Sequence, residues 1–417
     1  MSKHSEYTYD IVVIGSGAAG MIAAITAAKR GKRVVLLEKL SSIGVKLKAT
    51  GGGRCNLSNT LEKEVFMSRF GRDGKFMMPA LERFDRKDLI DFFDEIGVKT
   101  HIPDGFRIFP VTHKATTVVH AMSDALQRYG VEIRCRRQAV GLNISDGSIC
   151  VSTENGEHYA ASRVIIATGG RGYPALGAEG DGYRLARLVG HSVTPLYPAM
   201  MPLKTKERWV AQCRADTLAK VTLRVDMKKY RKLQATGDLI FTKEGIRGPV
   251  VLDFSREITP LLDRYKEVPL LANFTKGMHE TEIIEHIKKV ASQPEISDTL
   301  SIMRTLLPES VSMVLCRMAE IDPLQSWGKQ NGKSRDRLVK LLAWTPLTVN
   351  GHDGFDYAMI TRGGISLKEI DPYTMQSRLC RGLYFCGEVM NIDGPCGGYN
   401  LQWSFSSGYL AGFSASE

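Results

Sequence analysis

Ile11-Val-Val-Ile-Gly15-Ser-Gly17-Ala18-Ala19-Gly20, the alanine-rich run Met21 to Lys29, and Val34-Val-Leu-Leu-Glu38 follow one another near the start of the chain. An apolar run of strand length ends at Gly15, helical spacing begins near Ala18, and a second apolar run ends at an acid. Gly15 allows a tight turn, Gly17 lets a pyrophosphate approach the backbone, and Gly20 lets helix and strand pack closely. Glu38 lies 23 residues after Gly15, close to the spacing of a ribose-binding carboxylate. A lone G-x-G-x-x-G is weak evidence, but here strand, helix, second strand and acid fall in register. The stretch reads as a dinucleotide-binding βαβ unit, and a carboxylate at Glu38 disfavours a 2′-phosphate.

The opposite end carries a second such junction. Leu383 to Cys386 reads as a buried strand, followed by a glycine-broken loop bearing Glu388 and Asp393, and a helix opens near Asn400 just after Gly397 and Gly398. Glycines before a helix let a ligand approach the positive end of its dipole. Two sites at opposite ends of one chain suggest a long cofactor gripped from both sides, a flavin dinucleotide rather than a nicotinamide. Two further elements fit that reading. Val164-Ile-Ile-Ala-Thr168-Gly169-Gly170 is a strand end open to backbone approach. In Gly44 to Asn56, Gly51-Gly52-Gly53 imply a loop, along which Lys46, Thr50, Arg54 and Asn56 supply donors.

Composition fits a globular enzyme: 417 residues, 43% apolar and 24% charged, imply two or three domains. No signal peptide or membrane span is visible, and the eight cysteines contain no C-x-x-C pair. This argues against a zinc site or redox dithiol and for a cytoplasmic location. The net charge is +11, and Lys204 to Lys232 holds ten basic residues against three acids, which suits nucleic acid or another anionic substrate. Strands are expected near 11–14, 34–37, 131–135 and 163–167, with a helix over 115–129. From about 191 short alternating segments suggest an antiparallel, barrel-like insert. Residues 279–321 are richer in helical spacing, Ile283, Ile284, Ile287 and Val290 forming one core-packing stripe. His101, His113 and His191 read as surface or packing residues.

Gly15 to Gly20, Ala49-Thr-Gly-Gly-Gly-Arg-Cys-Asn56, Ala167 to Gly170, Thr361-Arg-Gly-Gly364 and Gly387-Glu-Val through Gly397-Gly-Tyr-Asn-Leu-Gln402 run the length of the chain. In their combination the chain resembles the bacterial FAD-dependent oxidoreductase family that contains YhiN-like, BaiN-like and aminoacetone oxidase proteins. The resemblance implies an α/β, Rossmann-type two-dinucleotide-binding flavoprotein fold with an inserted β-rich, barrel-like domain and a small helical subdomain. The expected domains are 1–190 with 345–417 for FAD, 191–275 with 330–344 for the insert, and 276–329 for the helices. It implies that Glu38, with the adjacent Lys39, holds the adenosine ribose, and that Val140 lies near the adenine. Residues 46–56, including Cys55, would lie along the cofactor. Gly387, Glu388 and Asp393 would lie near the pyrophosphate and ribityl chain, and Gly398, Tyr399, Asn400 and Leu401 near the isoalloxazine. Cys55, Cys396, Tyr399 and Arg362 are the proton-donor candidates. Phe241-Thr-Lys243-Glu-Gly245-Ile-Arg247-Gly-Pro249 departs from a family motif, F-T-H-x-G-x-S-G-P, at Lys243 and Arg247.

Three readings of function stand. The first is a reductase of a C=C bond in a large anionic substrate, with uridine in ribosomal RNA as the family's example. The second is a flavin reductase or oxidase of a small metabolite. The third is a flavin-bound RNA-binding or adaptor protein without catalysis. No second G-x-G-x-x-G is visible, so NAD(P)H would bind transiently as the electron donor.

Overall fold

A computed structural model describes residues 6–145 and 147–417. The chain divides into two compact units, Met1–Pro198 with Met359–Glu417, and Ala199–Ala358.

In the first unit, strand β1 (Glu6–Ile14) is followed by helix α1 (Ala18–Lys29), strand β2 (Val34–Glu38) and helix α2 (Val45–Gly53). β1 lies parallel between β2 and the strand His158–Ile166, and Glu132–Cys135 extends the sheet beyond β2. The strand His158–Ile166 is shared. Its first half pairs antiparallel with Ser148–Thr153, and its last residues pair parallel with Leu383–Phe385. The C-terminal segment therefore completes the sheet that the N-terminal segment starts. Ile11–Ile14 of β1 and Val34–Leu37 of β2 read as continuous apolar runs because both faces are covered there, as a parallel sheet requires.

α1 is buried from Ala18 to Ala27 and packs beside the C-terminal helix Tyr399–Ala415. A Cβ on Gly408 or Gly412 would lie 2.3 Å from the carbonyl oxygen of Ala19 or Ala23, so both glycines serve the close approach of two helices. The helix expected over 115–129 is Ala115–Arg128, with Val118, Val119, Met122, Ala125 and Leu126 buried as their spacing predicts.

The second unit holds a closed antiparallel barrel. Its strands run in the order Leu203–Thr205, Gly245–Arg247, Gln234–Phe241, Thr217–Val225, Val268–Asn273 and Thr345–Gly351. Val221, Leu223, Val225, Leu239, Phe241, Leu270, Leu347 and Val349 belong to its buried core. Helices Glu280–Ala291, Glu309–Ala319 and Gly332–Ala343 pack together, with Ile283, Ile287 and Val290 buried. Ile284 leaves the expected stripe and is exposed.

Three expected boundaries move. Residues 191–198, expected to open the insert, belong to the first unit. Residues 345–351 close the barrel instead of returning to the FAD domain, because Thr345, Leu347 and Val349 alternate inward. Residues 332–343, expected in the β-rich insert, are helical; Asn331 caps them and Leu338, Val339 and Leu342 are buried at helical spacing. No helix among the described residues is long and apolar enough to cross a membrane.

Candidate functional site

Parallel open sheets bind ligands beyond the carboxyl ends of their strands. Here Ile14 pairs with Leu37 and with Ile166, and Ile166 with Phe385, so four strand ends stand level. The loops that leave them carry most of the sequence candidates.

The first turn shows how its glycines divide the work. Gly15 has φ +100°, and a Cβ there would lie 2.6 Å from the carbonyl oxygen of Ala167. At Gly20 a Cβ would strike Gly15's own carbonyl. Around Gly17, the N-cap of α1, a Cβ would meet nothing within 4 Å. Gly15 and Gly20 thus serve packing, while Gly17 opens the helix start, followed by Ala18 and Ala19, to a ligand. Ser16 anchors the acid at the end of β2: Glu38 Oε2 accepts its backbone N–H at 3.1 Å and its hydroxyl, and Oε1 accepts from Leu40 N–H at 2.8 Å. Lys39 points to other partners, Asp181 at 2.8 Å and Glu179 at 2.6 Å. Val140 is half exposed, on the strand Ala139–Ser145.

Beyond His158–Ile166, Thr168 Oγ1 is buried without a hydrogen-bond partner. Gly169 has φ +71°, and a Cβ at Gly170 would sit 2.4 Å from Thr361 Oγ1 and 2.5 Å from Glu388 Oε1. Glu388 follows the last strand through Gly387. Its Oε1 accepts from Thr361 N–H at 2.9 Å, and its Oε2 meets Lys46 Nζ at 3.1 Å. That ion pair joins α2 to a loop 342 residues away.

The segment expected to be a loop is helical from Val45 and breaks at Thr50, Gly51 and Gly52, where the dihedrals leave the helical region. Thr50 Oγ1 donates to Leu47 O at 2.7 Å, and Arg54 lies over the Phe109 ring at 5.3 Å. Cys55 (φ +59°) is fully buried, and burial pushes its thiol up to about 12. The next residues grip the C-terminal helix start. In the amide orientation its neighbours satisfy, Asn56 accepts from Gly398 N–H at 3.0 Å and donates to Ser58 O at 2.9 Å. Asn59 donates to Gly397 O at 2.9 Å. Asn400 uses its side chain on the preceding loop, accepting from Gly394 N–H at 2.7 Å and donating to Gly394 O at 2.9 Å, and Leu401 is half buried.

The proton-donor candidates differ in burial. Tyr399 is buried against Phe66, 5.1 Å between ring centroids, whereas Cys396 is exposed. Arg362 reaches Asp393 at 3.9 Å. Asp73, which no sequence signal marked, feels the charges of that pair. Its side chain reaches solvent, yet loss of hydration holds its carboxyl above the usual range, with Asp393 adding to the rise and Arg362 opposing it. His191 stands apart as a packed residue, its Nε2 2.7 Å from Ser377 Oγ and its ring against Phe385.

The HI0933-like protein Rossmann domain family matches residues 9–414. The chain belongs to that family. It is 32% identical to the 3-dehydro-bile acid delta(4,6)-reductase of Clostridium scindens, over 98% of this chain and 99% of the relative. It is 29% identical to the ribosomal RNA dihydrouridine synthase of Escherichia coli, over 96% of each. A solved 3-ketosteroid-delta4-(5alpha)-dehydrogenase from Rhodococcus jostii shares the fold, with TM-score 0.51 at 17% identity over 99% of this chain and 97% of that one. By its family and its relatives the chain is an FAD-dependent oxidoreductase. Its strand-end edge fits FAD: the helix start is open at Gly17, Thr168 presents an orphaned buried hydroxyl, and the Asn56–Ser58 segment leads to a second helix start at Gly398.

Proposed function

We propose that this chain is an NAD(P)H-supported reductase of an activated C=C bond, and that its substrate is uridine in ribosomal RNA, converted to dihydrouridine. The bound flavin supplies the hydride. The chain's own residues hold and orient it: Gly17 and the α1 start receive the pyrophosphate, Glu38 the adenosine ribose, and Gly398 to Leu401 the electron-rich edge of the ring, where a helix dipole stabilises negative charge. The proton for the second carbon is assigned to Arg362, which stands 3.9 Å from Asp393, ahead of Tyr399, Cys55 and Cys396. Cys55 holds its proton too tightly for the task at neutral pH.

The observation that carries the RNA reading is the solvent-facing basic stretch. Lys204 is engaged by Glu244 and Asp353, Lys206 by Glu267, and Arg224 stacks on Trp344 at 4.2 Å. Arg208, Arg214, Lys220, Lys228, Lys229, Arg231 and Lys232 remain exposed. The exposed Lys243 and Arg247 add two cations in the same unit. The higher identity to the bile acid reductase favours a second reading, reduction of a small steroid-like enone.

The two separate by comparing dihydrouridine in ribosomal RNA from cells with and without the gene, and assaying the purified protein on a 3-oxo-4-ene steroid. A dihydrouridine lost with the gene supports the RNA reading. An unchanged RNA with rapid steroid reduction supports the second.

A further inference from the structure

Part of the basic stretch meets an aromatic pair. Lys228–Tyr230 forms a short turn between two barrel strands, and Tyr265 ends the helix Pro249–Tyr265. The two tyrosine rings lie 6.0 Å apart at 70°, with their hydroxyls 3.3 Å from one another. A cation accompanies each ring, Lys229 Nζ 5.5 Å from the Tyr230 centroid and the Arg264 guanidinium 5.2 Å from that of Tyr265. Arg231, Lys232 and Lys266 are exposed around them, against the flanking acids Asp226 and Asp263; the nearby Glu267 is already paired with Lys206 at 2.8 Å.

Exposed basic residues alone are usually a solvated surface. Tyrosines at the surface are different, because the ring has an apolar face that water solvates poorly; Tyr265 is exposed and Tyr230 half-buried against the barrel core. Rings flanked by cations match a single-stranded nucleic acid, whose bases stack on aromatic faces and guanidinium planes while its phosphates take the charges. A phosphate-lined membrane surface would satisfy the cations, but the tyrosines stand edge to face and share one hydroxyl–hydroxyl hydrogen bond, which suits a flat base more than acyl chains.

We propose that the Tyr230–Tyr265 pair, with Lys229, Arg231, Lys232 and Arg264, is a docking platform for single-stranded RNA on the barrel unit. This rests on the ribosomal RNA reading above and deepens it by naming where the substrate strand is held.

The test is fluorescence anisotropy with a short, labelled, uridine-rich single-stranded oligoribonucleotide over a range of salt concentrations. Tyr230→Leu/Tyr265→Leu keeps apolar bulk in the barrel and removes the stacking faces. Its Kd should rise roughly 10- to 100-fold with the salt slope unchanged. Arg231→Gln/Lys232→Gln should lower the magnitude of the slope of log K against log salt by about 1.4. Removing the same charge from the other unit, Lys87→Gln/Lys114→Gln, should leave both unchanged. Thermal melting and FAD content confirm that each variant is folded. Wild-type protein that does not bind the oligonucleotide, or platform variants that bind like wild type, overturns the platform. Variants that lose binding to anionic phospholipid vesicles but keep RNA binding overturn it in favour of a membrane surface. If platform variants still form dihydrouridine at the wild-type rate, the platform fails while the substrate reading survives. If wild type binds RNA through the platform yet forms no dihydrouridine, the substrate reading alone fails.

Discussion

Gly398 has no room for a side chain. Its φ is +86°, and a Cβ would lie 2.4 Å from Ser58 O, in the backbone of the segment that grips the helix start. Gly398→Ala should cost about 1–3 kcal/mol from backbone conformation alone. A lower denaturant midpoint together with lost FAD would show it, and a variant with unchanged midpoint and full FAD would refute it. His191 gives a pH prediction. Burial depresses its pKa below the ordinary 6.5, against the opposing pull of Glu369. The folded state therefore binds fewer protons than the unfolded chain. Its contribution is complete above about 6.5 and is lost as pH falls towards the lowered folded value. The stability difference between wild type and His191→Gln should shrink over that window, read from urea midpoints at each pH. Thiol chemistry separates the cysteines: exposed Cys396 should alkylate readily, while Cys55, buried and pushed up to about 12, should resist until the chain unfolds. Peptide mass mapping after iodoacetamide would check this. Residues such as Asp73 were illegible in sequence, because Arg362 and Asp393, whose charges act on it, lie 289 and 320 positions away.

At the level of elements, the βαβ unit was legible because its evidence is local: apolar runs, glycines at fixed offsets and an acid at the end of β2. The strand 345–351 was not, since a short alternating strand carries no mark of the sheet it joins. The glycine segment at 44–56 was half legible. Its three glycines announced a loop, but helical dihedrals persist from Val45 until Thr50. The Lys46–Glu388 pair ties that segment to the C-terminal loop, and both side chains are mostly buried. Lys46→Met should leave Glu388 with an uncompensated charge, costing about 1–3 kcal/mol and weakening FAD retention. Adding Glu388→Gln should recover part of that stability, a coupling that a double-mutant cycle measures. The helix pair α1 and Tyr399–Ala415 predicts a further effect. Gly412→Val places carbon against Ala23 O, and about 1–3 kcal/mol of overpacking should appear in the unfolding midpoint.

Over the whole molecule, the two ends of the chain build one sheet, while the intervening residues supply a separate barrel-and-helix unit. The sheet's edge is the general part, a dinucleotide grip that the family shares. The barrel unit carries the basic stretch and the Lys243 and Arg247 departures, and the proposal places differences in substrate there. The central claim is that this chain is a flavoprotein reductase, and the visible absorption spectrum during an anaerobic NAD(P)H titration tests it most directly. The account predicts a yellow protein with stoichiometric FAD, bleached by NAD(P)H and recoloured by uridine-containing ribosomal RNA. A colourless protein that FAD cannot reconstitute, or a bound flavin that neither NADH nor NADPH bleaches, would contradict it.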